Sequence, residues 1–178
     1  MEYGKYTARI GEKLTRTPIV PDAGIEVFYA HGSKGSRRAM PYLGRRPSNA
    51  SLLSHADIVV VSTRGRSRRV LVVCEIEEEG AEPKRIIGDV CNTLLARKLR
   101  AGGVDFTLHS CSIVLGIKIR EKGMSKVKAT KLVVAMRKIQ IGGSPHRKKI
   151  VLICASDPEV LMRRVEKKIR RIVEECVS

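Results

Sequence analysis

Two consecutive apolar segments that end in acidic residues constrain the fold more than any other part of the sequence. The first, at residues 57–61, reads Asp-Ile-Val-Val-Val, and the second, at residues 70–77, reads Val-Leu-Val-Val-Cys-Glu-Ile-Glu. Both are rich in β-branched residues, and a segment containing Gly, Ser and Arg separates them, so together they predict a buried β-hairpin. With the turn centred near residues 65–66, antiparallel pairing places Asp57 opposite Glu75 or one residue away.

The hairpin would bring three carboxylates to one end of the sheet. Side chains alternate between the two faces of a strand, so Glu75 and Glu77 share a face near Asp57. Like charges in such positions destabilise a sheet unless a cation, a shared proton or solvent compensates them, and a divalent metal ion is the simplest cation. The alternative is that residues 75–79 form a solvated acidic exit from the strand, with Asp57 only a polar strand start.

A helix is predicted directly after the second strand. Pro83 suits the first turn of a helix, and apolar residues follow at positions 86, 87, 90, 91, 94, 95 and 99. Gly102 and Gly103 then predict the end of the helix. The apolar stripe is expected to pack on the hairpin.

The order of these elements resembles the PD-(D/E)XK nuclease superfamily. The resemblance rests on an acid at the start of one strand, Glu-x-Glu at the end of the next and a helix with a basic beginning, and it covers mainly residues 24–117. Asp57, Glu75 and Glu77 would form the motif. The chain departs from the commoner pattern at two positions, because Ala56 stands where the family often has Pro and Glu77 stands where it usually has Lys. An acidic variant of this kind is known among restriction enzymes.

The resemblance implies a metal-dependent endonuclease that hydrolyses DNA phosphodiester bonds. Asp57 and Glu75 would bind Mg²⁺ or Mn²⁺, because such ions prefer carboxylate oxygens. Glu77 would accept a proton from the attacking water or bind a second ion, and these two roles stay open.

The resemblance also implies a cation and an accessory acid near the motif. Lys84 or Arg85, at the start of the helix, would replace the superfamily's Lys, and surface charge is the alternative for both. An acid from the first helix or nearby often helps at the metal site of this superfamily, so Glu26 or Glu12 would be an additional metal ligand. Each of these two acids is by itself more typical of a surface carboxylate.

The chain is strongly basic, with 35 Lys and Arg against 18 Asp and Glu and a formal net charge of +17. A polyanion is therefore the expected partner, and a basic surface around an acidic pocket favours nucleic acid. Aromatic residues make up only 3% of the chain, so extensive base stacking is not expected and contacts to the backbone of a duplex are preferred. Together with the resemblance to nucleases, this predicts duplex or branched DNA as the partner. Two alternatives remain: a nuclease-fold protein that binds DNA without cutting it, and a basic RNA-binding component of a ribonucleoprotein.

Residues 31–55 are predicted to form a long basic loop that leads onto Asp57. The segment contains several Gly, Pro and Ser residues, and loops of this length within a compact domain are usually functional or disordered. The cations expected to contact DNA phosphates are Lys34, Arg37, Arg38, Arg45 and Arg46.

The remaining periodicity completes one α/β domain over residues 1–178, with a mixed β-sheet flanked by helices. This is the order of elements that the resemblance implies, a restriction-endonuclease-like fold. Further helices are predicted at 3–16, 125–139 and 158–176, and a strand at 131–136 is the alternative to the second of them. Further strands are predicted at 25–30, 106–119 and 150–154.

Composition also suggests where such a protein works. No stretch of about 18 apolar residues and no apolar amino-terminal segment occurs, so the chain is expected to be cytoplasmic with no membrane partner. Few amide side chains and 30% charged residues favour a thermophilic source. A homodimer is compatible with the resemblance, since enzymes that cut both strands often dimerise.

Overall fold

The computed structural model describes residues 4–21, 23–31, 38–43, 46–48, 51–64, 68–78, 82–120, 124–141, 144–145 and 147–178. The helices there are α1 (Lys5–Arg16), α2 (Pro83–Leu95), α3 (Lys126–Arg137) and α4 (Pro158–Val177). The strands are β1 (Ile25–Tyr29), β2 (Ala39–Tyr42), β3 (Ile58–Ser62), β4 (Arg69–Glu77), β5 (Lys98–Ala101), β6 (Val104–Thr107), β7 (Ser112–Lys118), β8 (Gln140–Ile141), β9 (Ser144–Pro145) and β10 (Lys149–Ala155). The predicted mixed α/β class is confirmed.

Within this part of the chain, eight strands form one mixed, mostly antiparallel sheet. β1, β3 and β4 are antiparallel neighbours, and β4, β7 and β10 are parallel neighbours. β6 pairs with the start of β4, and β5 and β2 extend the sheet from there. Parallel neighbours need crossover connections, and α2 lies in the connection from β4 to β7 while α3 lies in the connection from β7 to β10.

The predicted hairpin is present as β3 and β4. Ile58 lies opposite Cys74, and the antiparallel pairing continues along β3 with one bulge midway. Asp57 directly precedes β3 and therefore lies level with Glu75, in the register that the sequence predicted. The turn itself, at 65–67, lies outside the described residues.

Helices cover both faces of the sheet. α2 and α3 pack on one face through side chains such as Val90 and Val133. α1 and α4 pack on the other face through side chains such as Leu14 and Ile169. The sheet is therefore the middle layer of three, with an apolar core on each side of it.

The alternation of side chains along β4 decides which helices the acids face. Val73 belongs to the core beneath α2 and α3, whereas Cys74 and Ile76 belong to the core beneath α1 and α4. Glu75 and Glu77 follow Val73 at intervals of two residues, so they face the side that α2 covers.

The predicted end of the central helix is wrong. α2 ends at Leu95, and position 99 of the predicted stripe is a core residue of β5. Gly102 and Gly103 form the turn between β5 and β6, with φ angles of 56° and 79°. A two-residue hairpin turn with positive φ at both positions strongly favours glycine, so the pair marks a hairpin rather than a helix end.

The predicted loop at 31–55 is only partly a loop. β2 lies within it and pairs antiparallel with β5, and isolated bridges join Ala39 to Ala56 and Tyr42 to Leu52. Tyr42 is fully buried. The segment is therefore tied to the sheet at its centre and directly before Asp57.

The other predicted elements agree with the structure to within a few residues. Residues 126–137 are helical rather than extended, and the span 106–119 contains two strands, the end of β6 and β7. α4 begins as its sequence predicts, because Pro158 follows Asp157, whose carboxylate accepts a hydrogen bond from the Val160 N–H at 2.8 Å. None of the described helices is both long and apolar enough to cross a membrane.

Candidate functional site

Carboxylates from the β3–β4 hairpin and from α2 line one cavity of about 270 Å³. The acids that line it are Asp57, Glu75, Glu77 and Asp89. Glu75 and Glu77 are only 6% and 4% exposed. The Ile76 N–H donates to Asp57 Oδ2 at 2.7 Å, and the Asp57 N–H donates to Glu75 Oε2 at 3.4 Å. The three acids predicted from the sequence therefore come together.

Burial and mutual repulsion oppose ionisation of these acids. Desolvation, with the charge of Asp89 adding to it, raises the pKa of Asp57 from 3.8 to about 7 and that of Glu77 from 4.5 to about 7. Desolvation, followed by the charge of Asp57, raises the pKa of Glu75 well above its ordinary value. Desolvation also raises the pKa of Asp89. The cluster therefore retains protons near neutral pH unless a cation compensates its charge.

Two arginines bring positive charge to the same cavity. Arg85 Nε lies 3.3 Å from Glu77 Oε1, and the Arg85 side chain is 47% exposed while that of Glu77 is 5% exposed. The charge of Arg85 also opposes the rise in the pKa of Asp89. Arg38 lines the cavity and is exposed. An anion entering the cavity would therefore meet arginine near the surface and carboxylates beneath it.

Glu78 belongs to a different part of the structure, although it is adjacent to the acidic motif. Its Oε1 accepts hydrogen bonds from the Tyr6 N–H at 2.7 Å and from the Thr7 N–H at 3.4 Å. These amides lie in the first turn of α1, whose N-cap residue, Gly4, has no side chain to cap them. Glu78 therefore caps α1 from the end of β4 and does not line the cavity, although its charge still helps to raise the pKa of Asp57.

The same turn of α1 supports one wall of the cavity. Gly4 has φ +82°, and a β-carbon at this position would overlap with the imidazole of His31. His31 lines the cavity together with His55 and Ala30. Glycine at position 4 therefore allows α1 to begin directly against a residue of the site.

Several other predicted site residues lie away from this cavity. Lys84 is exposed and is not among its lining residues, whereas Arg85, one position later, is. Glu26 lines a separate cavity of about 330 Å³ with Thr63, Arg68 and others. Glu12 pairs with Arg16 on α1 at 3.6 Å. The structure therefore does not bring Lys84, Glu26 or Glu12 to the three acids of the motif.

The cations of the predicted loop have different positions. Arg38 reaches the acidic cavity, whereas Arg46 is exposed and is not among the residues that line it. Lys34, Arg37 and Arg45 lie outside the described residues. One of the five predicted phosphate contacts is therefore placed beside the acids.

The donor set of the cavity fits a hard divalent cation in its chemistry. Carboxylate oxygens are the ligands that Mg²⁺ and Mn²⁺ prefer, and the raised pKa values mean that the ionised cluster needs either protons or a cation to compensate its charge. Among the described residues, however, no group of three His, Cys, Asp or Glu side chains is arranged to hold a metal ion. Asp57 and Glu77 instead interact with the Ile76 N–H and with Arg85.

The sequence analysis did not identify Asp89 or His31 as site residues. Asp89 lies four positions after Arg85, so both project from the same side of α2, at the margin of the apolar stripe that contains Ile86 and Val90. A charged pair with this spacing beside a helix stripe was the available signal. For His31, the sequence offers no comparable pattern.

Comparison with known proteins adds no relative: no family model matches the chain, and neither a curated protein nor a solved structure shows significant similarity to it.

Proposed function

We propose that the chain is a metal-dependent endonuclease that hydrolyses phosphodiester bonds of duplex or branched DNA. We also propose that its mixed α/β fold is of the restriction-endonuclease-like type. The observation that supports this most directly is the convergence of Asp57, Glu75 and Glu77 in one cavity that Arg38 and Arg85 also line. The formal net charge of +17 makes a polyanion the expected partner. Ionised acids that are buried side by side are costly, and a bound cation would remove that cost.

Asp57 and Glu75 would hold Mg²⁺ or Mn²⁺. They lie level across the β3–β4 pair, and each carboxylate has two oxygens, so a backbone contact through one oxygen leaves the second available for an ion. A bound divalent ion supplies a water of lowered pKa and neutralises charge on the phosphate. The position of both acids on paired strands keeps them at a fixed separation, which favours a preorganised site.

Glu77 would accept the proton from the attacking water. Its pKa of about 7 suits a general base that works near neutral pH. Arg85 lies against Glu77 and is half-exposed, so it would hold that carboxylate in place while presenting part of its guanidinium to the substrate. Arg38 would bind a neighbouring phosphate oxygen. This assigns to Arg85 the cationic role that the resemblance implied for Lys84 or Arg85.

One observation favours a second function, which is DNA binding without cleavage. Asp57 and Glu77 are engaged by a backbone N–H and by Arg85, and the described acids do not already form a three-ligand metal site. Protonated carboxylates held in this way would stabilise the hairpin end without any ion. The two functions make different predictions for divalent metal.

The deciding experiment compares cleavage and binding in one set of variants. Wild type, Asp57→Asn and Glu75→Gln are incubated with plasmid, branched DNA, single-stranded DNA and RNA, with Mg²⁺ or Mn²⁺ and with chelator. We expect metal-dependent cleavage of duplex or branched DNA by wild type and none by either variant, with DNA affinity unchanged or higher in both because negative charge near phosphate is removed. Asp105→Asn is the matched control, since Asp105 pairs with Arg100 outside the cavity.

Each remaining outcome has a definite meaning. Cleavage that survives Asp57→Asn would show that the acids are not the catalytic site. Tight DNA binding with no cleavage under any metal condition would establish the second function in place of the nuclease. Binding and cleavage confined to RNA would assign a ribonuclease and contradict the choice of DNA.

A further inference from the structure

A second cavity, of about 750 Å³, runs along the β10 edge of the sheet between α3 and α4. We call it the β10 groove, and its floor is the segment from Ile150 to Cys154. Seven Lys and Arg residues contributed by α3, β10 and α4 line it, and no acidic or aromatic side chain is among the described residues that do so. The acids and arginines of the candidate active site are not part of this groove.

The backbone of β10 presents hydrogen-bonding groups to this groove. The Lys149 N–H donates to the Cys111 carbonyl at 3.0 Å, and the Ala155 carbonyl accepts from the Ile119 N–H at 3.0 Å, so the odd-numbered residues of β10 pair towards β7. In a parallel pair, the intervening residues point both backbone groups away from the partner. The outward-facing residues are Ile150, Leu152 and Cys154.

Arginines from both helices already occupy two of the outward-facing carbonyls. Arg137, on α3, donates to the Ile150 carbonyl through Nη2 at 2.7 Å and through Nε at 3.2 Å. Arg164, on α4, donates to the Cys154 carbonyl through Nη1 at 3.4 Å. The groove therefore offers N–H groups and cations but few free acceptors.

The excess of hydrogen-bond donors and positive charge in the groove favours some classes of binding partner over others. A polypeptide that added a strand to the β10 edge would need acceptors as well as donors, and Arg137 and Arg164 occupy those acceptors. Phosphate oxygens need only donors and positive charge. A single-stranded nucleic acid is usually held by stacking of its bases on aromatic side chains, which the lining of this groove lacks.

We propose that the β10 groove binds the phosphate backbone of duplex DNA, as a contact separate from the acidic cavity. The proposal shares with the proposed function the premise that the partner is DNA, but it requires neither a metal ion nor cleavage. Cys154 lies level with Ile117, which in turn lies level with Glu77. With neighbouring strands about 4.8 Å apart, the groove lies roughly 10 Å across the sheet from the acids. One duplex is wide enough to contact both.

The test compares two triple variants that remove the same charge. Lys126, Lys149 and Lys167 line the groove and are exposed, so all three are replaced by Gln in the groove variant. Lys5, Lys128 and Lys131 are also exposed, lie outside the groove and are replaced by Gln in the control variant. Binding to a short duplex and to a single strand of the same length is measured in chelator over a series of salt concentrations, with circular dichroism to confirm that each variant is folded.

Counterion release fixes the expected result. Each lost duplex phosphate contact reduces the slope of log affinity against log salt by about 0.9, so the groove variant should lose roughly 2 to 3 from the slope and at least about tenfold in affinity at moderate salt. The control variant should keep nearly the wild-type slope. Equal losses in the two variants would overturn the proposal, because affinity would then follow net charge alone. A loss for single-stranded DNA that exceeds the loss for duplex would overturn it in favour of a single-strand site.

The two proposals fail separately in this design. Wild type that binds duplex through the groove but never cleaves it would refute the nuclease and leave the groove as a binding site. Metal-dependent cleavage together with an unchanged salt slope in the groove variant would refute the groove alone. A wild type with no measurable affinity for either duplex or branched DNA would refute both.

Discussion

Replacing Asp57 with Asn should stabilise the metal-free protein above neutral pH. Asn keeps the oxygen that accepts the hydrogen bond from the Ile76 N–H. It removes a carboxyl group whose ionisation is disfavoured by burial and by the neighbouring acids. The pKa of Asp57 rises from 3.8 to about 7 on folding, and each pH unit between the folded and unfolded values corresponds to about 1.36 kcal/mol. The charged carboxylate therefore costs the fold up to about 4 kcal/mol at pH 8.

The sign of the pH dependence follows from the same pKa. Below about pH 4, Asp57 is mostly protonated in both the folded and the unfolded state. Its effect on stability therefore hardly changes with pH in that range. Between about pH 4 and pH 7 the unfolded state releases the proton first, so the stability of the wild type falls as pH rises. The advantage of Asp57→Asn should grow over this window and become constant above it.

The assay is urea denaturation in chelator at pH 4.5 and at pH 8. We expect Asp57→Asn to be more stable than wild type by about 1 to 4 kcal/mol at pH 8, and by about 1 kcal/mol or less at pH 4.5. Asp105→Asn is the control, and its stability should change in the opposite direction. The hydrogen bond from Arg100 lowers the pKa of Asp105, so removal of this carboxylate should slightly destabilise the protein at pH 8. A loss of stability in Asp57→Asn at pH 8 would refute the reasoning.

Three further variants test the frame around the site. Lys148→Met should lower the free energy of unfolding, measured by urea denaturation, by about 3 kcal/mol. The buried ammonium of Lys148 donates to three carbonyl oxygens at the end of α2, at 2.6, 2.6 and 2.9 Å, and Met would leave all three without a donor. Glu78→Ala should cost about 1 kcal/mol and speed amide exchange in the first turn of α1, because it removes the cap on Tyr6. Arg85→Gln should raise the pKa of Asp89 further in the metal-free protein, because the charge of Arg85 opposes that rise in wild type, and NMR titration of the Asp89 carboxyl group in chelator would measure it.

The sequence predicted the acidic end of the hairpin well because local rules determine it. Two β-branched segments separated by a short polar segment fix the pairing, and alternation then fixes the face of each acid. Asp57, Glu75 and Glu77 therefore came together as predicted. The strand at 98–101 was missed because it is only four residues long, because Leu99 continues the apolar spacing of α2, and because one of its two partners, β2, is far away in the sequence. Its other partner, β6, is adjacent, and the Gly102–Gly103 pair that joins them was interpreted as a helix end.

Which residues of α2 and of the loop reach the site could not be predicted from the sequence, because tertiary packing decides it. Successive residues of a helix project about 100° apart, so the rotation of α2 on the sheet decides that Arg85 and not Lys84 reaches Glu77. The apolar stripe indicates that rotation only approximately. Glu26 lies on β1 opposite Val61, and no local pattern in the sequence showed that its cavity differs from that of the motif.

The frame around the acids leaves them few ways to reduce their repulsion. The β3–β4 ladder fixes Asp57 level with Glu75, and Lys148 and the apolar stripe anchor α2, which carries Asp89. The carboxylates therefore cannot separate without disrupting packed elements, and the remaining ways to compensate their charge are protonation and a cation. Because ion binding removes the cost of the charged form, a divalent ion should bind more tightly as pH rises towards 8, in the range where the metal-free protein is strained most.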